Sequence, residues 1–187
     1  MIVTKSGRRM FPTLQVSVSN LNPSQSYSVM VDLESLDNKR YRYSFHQSKW
    51  TATGPGEAEL PGRTFVHCDS PSLGIHWMKG MVSFDKLKLT NNQLDDNGHI
   101  IVNSMHRYRP RIHIVAHSID NSIDNSIETF TFPETTFIAV TAYQNHRITS
   151  LKIESNPFAK GFRESEMDEV SRNLPLLFPF YSLSIPR

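Results

Sequence analysis

The sequence predicts a mostly β fold, a sandwich or barrel of antiparallel strands with short helices confined to its C-terminal part. Three observations carry this. Apolar side chains alternate with polar ones in successive runs, Leu14/Val16/Val18, then Tyr27/Val29/Val31/Leu33, then Tyr41/Tyr43/Phe45, the period of a half-buried strand. Turn chemistry separates the runs, at Leu21-Asn22-Pro23-Ser24 and Asp37-Asn38. A helical interval appears only after Tyr143-Gln144-Asn145, where Ile148 and Leu151 recur three apart.

Taken in order, the chain opens with a short apolar piece, turns at Ser6-Gly7 into Arg8-Arg9, and passes through Phe11-Pro12 into the first alternating run. After the third run, residues 51–62 read as a Pro/Gly loop and residues 63–67 as a strand. Residues 67–74 read as a surface connection, 77–81 as an irregular segment and 82–89 as a strand. Asp96-Asn97-Gly98 is a strong turn signal ahead of a strand at 99–105, and 111–117 is the next strand. The tandem SIDNSIDNSI at 118–127 is too short for a solenoid and reads as a loop insertion. Strands at 127–132 and 137–141 bring the set to about eight or nine, which fits one sandwich or barrel.

Residues 135–163 change character along their length. Phe137-Ile138-Ala139-Val140 is a buried-strand run, and a helix follows at 146–154. Asn156-Pro157 ends that helix and opens a second short one, 158–163, with Phe158 and Phe162 on one face beside Lys160 and Arg163. Such a turn fits a minor groove, with apolar wedges against the bases and cations on phosphates. Taken without further information, the same i, i+4 phenylalanines read first as ordinary core residues.

With 187 residues the chain has room for one domain and a sizeable core. Its 20 Lys+Arg against 18 Asp+Glu leave a formal charge of +2, too small to argue for a polyanion partner. The distribution says more. Residues 1–12, 104–117 and 145–163 are basic with at most one acid each, whereas acids gather at 120–134 and 164–169. Three basic segments could converge on one surface, or point apart as solvated faces. A single cysteine, Cys68, precludes an internal disulfide and favours a reduced compartment. No signal-peptide pattern or membrane-length apolar run occurs.

Eight histidines raise the question of a metal, but His67 beside Cys68 lacks the paired clusters of structural zinc sites, and His113 and His117 would stand ~13 Å apart on a strand. No nucleophile elbow, phosphate-binding glycine loop or dinucleotide fingerprint is present. The expectation is no catalytic residue, no metal and no cofactor.

The stretches MIVTKSGRRMFP, HWMKG with VSFDKLKLTNN, LDDNGHIIVNSMHRYRPRIHIV, FPETTFIAVTAYQN and ITSLKIESNPFAKGF recur in the order of one family. Over residues 1–163 the chain resembles a T-box DNA-binding domain, with LDDNGHI and AYQNHRIT similar to the craniofacial and heart-outflow subfamily. The resemblance implies an immunoglobulin-like β-sandwich or barrel that binds double-stranded DNA at a T-box half-element with a GTG-containing core. It assigns Arg8 and Arg9 to the major groove and backbone, where an arginine fork matches guanine O6 and N7. It assigns Pro157, Phe158, Lys160, Phe162 and Arg163 to the minor-groove helix, against the core reading. Thr141, Tyr143, Gln144 and Asn145, with Thr149 and Lys152, match the region that grips backbone and seats the helix. Lys88, His106 and Arg107 match positions near DNA, while Asn91, Tyr108 and Pro110 match structural ones.

Two departures stand out. Family members carry, ahead of the Met1 equivalent, a segment with a Trp and a Phe that packs on the domain; the apolar Leu174–Leu183 in the acidic-then-apolar tail, residues 164–187, is expected to substitute for it. Cys68 stands where the family usually has proline.

The resulting expectation is a non-enzymatic, nuclear, developmental transcription factor that regulates RNA polymerase II transcription. Homodimerisation on paired half-sites and transcriptional co-regulators belong to the same expectation, with no membrane partner. The rival is a β-sandwich interaction module that has lost specific DNA binding.

Overall fold

The computed structural model describes residues 1–58, 60–117, 126–156 and 180–185. Its strands are β1 (Arg8–Arg9), β2 (Gln15–Ser19), β3 (Ser26–Ser35), β4 (Lys39–Ser44), β5 (Lys49–Pro55), β6 (Phe65–Val66) and β7 (Ser72–Leu73). They continue as β8 (Met81–Ser83), β9 (Lys88–Thr90), β10 (Ile100–Ile101), β11 (Arg107–His117), β12 (Ile127–Thr131), β13 (Phe137–Ile138) and β14 (Phe180–Ser184). Two helices, α1 (Gly74–Met78) and α2 (His146–Ser155), and a 3-10 turn at Pro133–Thr135 complete the described elements.

The central pairing is β3 with β11, antiparallel from Tyr108↔Ser35 to His117↔Ser26. Both strands alternate: Val29, Val31, Ile112 and Ile114 point into the core, while Asp32, Glu34, Arg109, Arg111 and His113 occupy the other face. β12 and β13 add to the far side of β11, pairing at Arg111–Val115 and at Arg107–Tyr108. Pro110 falls in the gap between those two pairings, the place in a central strand where a missing N–H costs least.

The facing sheet has the order β14-β2-β8. Val16, Val18, Val82 and Leu183 press from it onto the β3–β11 face, forming one core with Trp77, Phe84 and Leu87. Two layers of this kind, each burying one face, make the sandwich that the alternating runs predict. A third small sheet, β1-β9-β10, closes one end.

Several boundaries differ from the sequence reading. Residues 49–55 form β5, which pairs with β4, although 51–62 reads as a loop. The Tyr41/Tyr43 alternation marks β4, whereas the mostly exposed β5 lacks such a pattern and is defined by its backbone pairing. Residues 74–78 form a helix of one turn, anchored by Trp77, whose Nε1–H donates to the carbonyls of Tyr27 and Ser72, both at 3.1 Å. The run 82–89 is two strands interrupted at Phe84–Leu87, where Leu87 N donates to Phe84 O at 3.0 Å. Only Ile100–Ile101 of 99–105 is extended and paired.

The C-terminal strand is a finding of the tertiary structure. β14 runs parallel to β2, with Tyr181↔Val16 and Leu183↔Val18 in register. Leu183 is fully buried, and the Tyr181 ring stacks on Phe132 with centroids 4.4 Å apart. Residues 174–179 of the expected docking segment, and the 118–125 part of the tandem repeat, lie outside the described residues.

Candidate nucleic-acid interface

The N-terminal ten residues are stitched between two distant parts of the chain. Val3 N donates to Val140 O at 2.8 Å, and Thr90 Oγ1 donates to the carbonyls of Thr4 and Lys5, each at 3.0 Å. A turn follows, closed by Gly7 N donating to Thr4 O at 3.1 Å. Gly7 has φ +80, and a Cβ there would stand 2.6 Å from the His99 ring, so both backbone and space require glycine. The turn delivers Arg8 and Arg9 into β1, where Arg9 lies opposite Lys88 and Arg8 opposite Leu89 on β9. Cross-strand partners project from the same face, so the structure brings Arg9 and Lys88 together as paired cations.

Behind this turn is a network that sequence reasoning did not single out. Asp95 is buried, and its carboxylate meets Arg63 Nη1 at 2.8 Å, His99 Nδ1 at 2.9 Å and His99 N at 3.1 Å. Arg63 also donates to the carbonyls of Asp95 and His99. Desolvation pushes the Asp95 pKa up, but hydrogen bonds from Asn97, His99 and Arg63 outweigh it and bring it down to about 2. This anion and its partners fix the His99 ring against Gly7, and so fix the turn that carries the two arginines.

The second strip is the loop after Val140. Thr141 and Ala142 are exposed, and Gln144 Nε2 donates to Ala142 O at 3.2 Å. Tyr143 is half-buried; burial raises its pKa and the nearby Arg8 charge partly offsets the rise, which places the Arg8 guanidinium in the electrostatic reach of this loop. Asn145 caps α2. Its Oδ1 accepts from Arg147 N at 2.9 Å and Ile148 N at 3.5 Å, while its Nδ2 donates to Tyr43 Oη at 3.0 Å. Thr149 Oγ1 donates to Asn145 O at 3.0 Å, tightening the first turn. One amide thus caps the helix and ties it to the β4–β5 hairpin, a link invisible in the sequence. Tyr43 and Trp50 from that hairpin face Tyr143, Asn145 and Ile148 across a groove of about 670 Å³.

Three of the expected contact residues are engaged within the protein itself. His106 is 3% exposed; its Nε2 accepts from Glu57 N at 2.8 Å and its Nδ1–H donates to Ser104 O at 2.9 Å, so the ring is spent on structure. Arg107 projects into the groove but its Nη2 meets Asp37 Oδ2 at 2.7 Å, a carboxylate that also accepts from Tyr41 Oη at 2.7 Å. Lys152 turns inward: Nζ lies 4.9 Å from the Phe11 ring centroid and donates to Phe11 O at 3.5 Å, and burial lowers its pKa. It seats α2 on the N-terminal segment rather than offering a free ammonium. Pro157, Phe158, Lys160, Phe162 and Arg163 lie outside the described residues.

The basic segment 104–117 does not contribute a cationic surface either. Arg109 pairs with Glu34 and Arg111 with Asp32, each at 2.7 Å, and His113 lies 3.1 Å from Asp32. Asp32 loses solvation by burial, which pushes its pKa up, yet Arg111 and His113 hold it below the usual value. Every arginine of β11 has its own acid on β3 or the following loop.

What remains is a β-sandwich whose end presents an arginine pair, a cross-strand lysine and a capped helix beside a hydrogen-bonding loop: a β domain of the immunoglobulin-like class arranged to meet a polyanion through loops and a C-terminal helix. The T-box family model matches residues 1–164. The T-box transcription factor mls-1 of Caenorhabditis elegans is 63% identical, over 97% of this chain and 76% of that protein. T-box transcription factor TBX1-B of Xenopus laevis is 54% identical over 96% of this chain, and TBX10 of Homo sapiens is 56% identical over 90%. The chain belongs to the T-box family. It spans 41% of the frog protein and 45% of the human one. Members of the family are transcription factors rather than enzymes.

Proposed function

We propose that this chain is a sequence-specific DNA-binding domain of a nuclear transcription factor, reading a T-box half-element in duplex DNA and regulating RNA polymerase II transcription. The observation that carries the reading is the convergence of Arg8 and Arg9 with Lys88 and the Tyr143 loop at one end of the sandwich. Arg8 and Arg9 supply guanidinium forks for guanine in the major groove. Lys88, Thr141, Tyr143 and Gln144 set register on the backbone, and Asn145, Thr149 and Lys152 hold α2 in place for the segment after it. Phe158 and Phe162 enter the minor groove in this reading, with Pro157, Lys160 and Arg163 beside them. Dimerisation on paired half-sites and recruitment of co-regulators are further parts of the proposal.

Fluorescence anisotropy of the 187-residue chain with a single half-element, against a scrambled duplex at near-physiological salt, tests this. Selective binding by ~10³-fold or more is expected. Equal, weak binding to both duplexes by a folded sample would favour the interaction module instead. Phe158→Ala and Phe162→Ala should each reduce selective binding without lowering the melting temperature; unfolding by either places those rings in the core.

A further inference from the structure

We propose that the turn after β6, together with α1, is a binding site for a divalent transition metal of the zinc class, with His67, Cys68, Asp69 and His76 as its four ligands. None of these side chains belongs to the interface described above. Sequence spacing argues against a metal because His67, Cys68 and Asp69 are consecutive and the fourth donor is seven residues further on. The fold supplies what the spacing conceals: α1 turns His76 back over the loop, so that its Nε2 stands 3.1 Å from Asp69 Oδ2.

Three of the four donors are already gathered. Ligand atoms of His67, Cys68 and Asp69 lie within 4.8 Å of one another. A tetrahedral ion with bonds of about 2.0–2.3 Å holds its donors roughly 3.3–3.8 Å apart. The His76–Asp69 pair is near that spacing, and exposed Cys68 and Asp69 are free to close the remainder by rotamer changes.

His67 gives the site its fixed corner. The ring is 8% exposed and packed edge-on against Trp77 and Phe84, with centroids 5.3 and 5.5 Å away. Its Nε2–H donates to Ser83 O at 3.2 Å, and Nδ1 accepts from Asp69 N at 3.2 Å. The proton is therefore on Nε2 and the lone pair of Nδ1 faces the turn. A backbone carbonyl holding the far nitrogen of a histidine is the support that metal-ligating imidazoles ordinarily have. On metal binding the Asp69 N–H passes to water, which reaches this exposed turn.

Proton and charge balance follow. Cys68 loses its thiol proton to solvent, and the Nε2 proton that His76 donates to Asp69 in the free chain is lost to solvent while Nδ1 takes one up, so that Nε2 coordinates. One thiolate and one carboxylate then neutralise the dication. Lys86 Nζ stands 3.9 Å from Cys68 Sγ.

The test is Co²⁺ titration of the chelator-treated full chain in a non-thiol reductant, followed by Zn²⁺ competition and melting curves. One equivalent of Co²⁺ should bind with a thiolate-to-metal charge-transfer band that Zn²⁺ abolishes. Zn²⁺ at a hundredfold excess over its Kd should raise Tm by about 5–10 °C. Cys68→Ser should remove the charge-transfer band, and His76→Ala should weaken binding at least tenfold; both residues are at the surface, and the apo melting temperature of each variant checks its fold. Absence of the band in the parent chain, or affinities unchanged in both variants, would overturn the proposal. DNA binding is read separately, so failure of one proposal leaves the other standing.

Discussion

Arg9 and Lys88 face each other across two strands, yet their contributions to binding should differ in kind. A guanidinium fork on a guanine edge discriminates by about 1–3 kcal/mol, whereas an ammonium on a phosphate adds affinity without regard to sequence. Arg9→Ala should therefore cut the preference for the half-element over a scrambled duplex by roughly 5- to 150-fold. Lys88→Ala should weaken both duplexes alike and lower the salt slope by about one. Titrations at several salt concentrations separate the two. His106→Ala should behave differently again. It leaves the Glu57 N–H and the Ser104 carbonyl without their partner, a loss of about 1–3 kcal/mol in denaturant unfolding, with no change in the DNA affinity of the folded fraction. The sequence could not separate His106 from Arg9, because both sit in motifs and only burial distinguishes them.

At the scale of elements, α2 was legible almost to its ends: a helix over 146–154 is expected and His146–Ser155 is found. Its seat was not. Asn145→Ala removes the cap, about 0.5–2 kcal/mol, and also the hydrogen bond to Tyr43. Both losses should appear as a lower Tm and as faster amide exchange in the first turn. β14 is the clearest element that periodicity underdetermines, since an apolar tail with two prolines fits a docked strand, a partner-binding segment or an unpaired end equally. Its register on β2 buries Leu183 completely, so Leu183→Ala should destabilise the domain by about 2–5 kcal/mol. A loss below 0.5 kcal/mol would mean that β14 does not pack there in solution. β4 was legible in the Tyr41/Tyr43 alternation, but β5 escaped the sequence reading because most of it is exposed and its Gly-Pro end resembles a loop, so its pairing with β4 shows only in the fold.

For the molecule as a whole, charge is sorted rather than abundant. The β11 arginines are matched by acids of β3 and the loop beyond it, while Arg8, Arg9 and Lys88 gather on neighbouring strands of a chain of net charge +2. With about five phosphate contacts, log affinity should fall with log salt at a slope of roughly −4 to −5, and a slope near zero would remove the electrostatic part of the proposal. The same sorting governs acid stability. The Asp95 pKa lies at about 2 in the fold against an ordinary 3.8, so its contribution is complete above about pH 4 and is lost as pH falls toward 2. Asp32, also held low, acts in the same direction. Melting curves from pH 5 to 2 should show a steep fall in the parent chain and a shallower one in Asp95→Asn, whose Tm at pH 7 is already lower.

The sequence by itself determined the class of fold, because a period of two in apolar side chains admits only strands with one buried face. It also determined the family and the segments from which an interface is built, since these are carried by short ordered motifs. Only the tertiary structure decided which members of those motifs face outward. Burial turned His106 inward and Lys152 onto Phe11, acids on a neighbouring strand took up the β11 arginines, and one helical turn brought His76 to Asp69. Each of these depends on residues far apart in the chain meeting through packing, and local periodicity carries no record of such meetings.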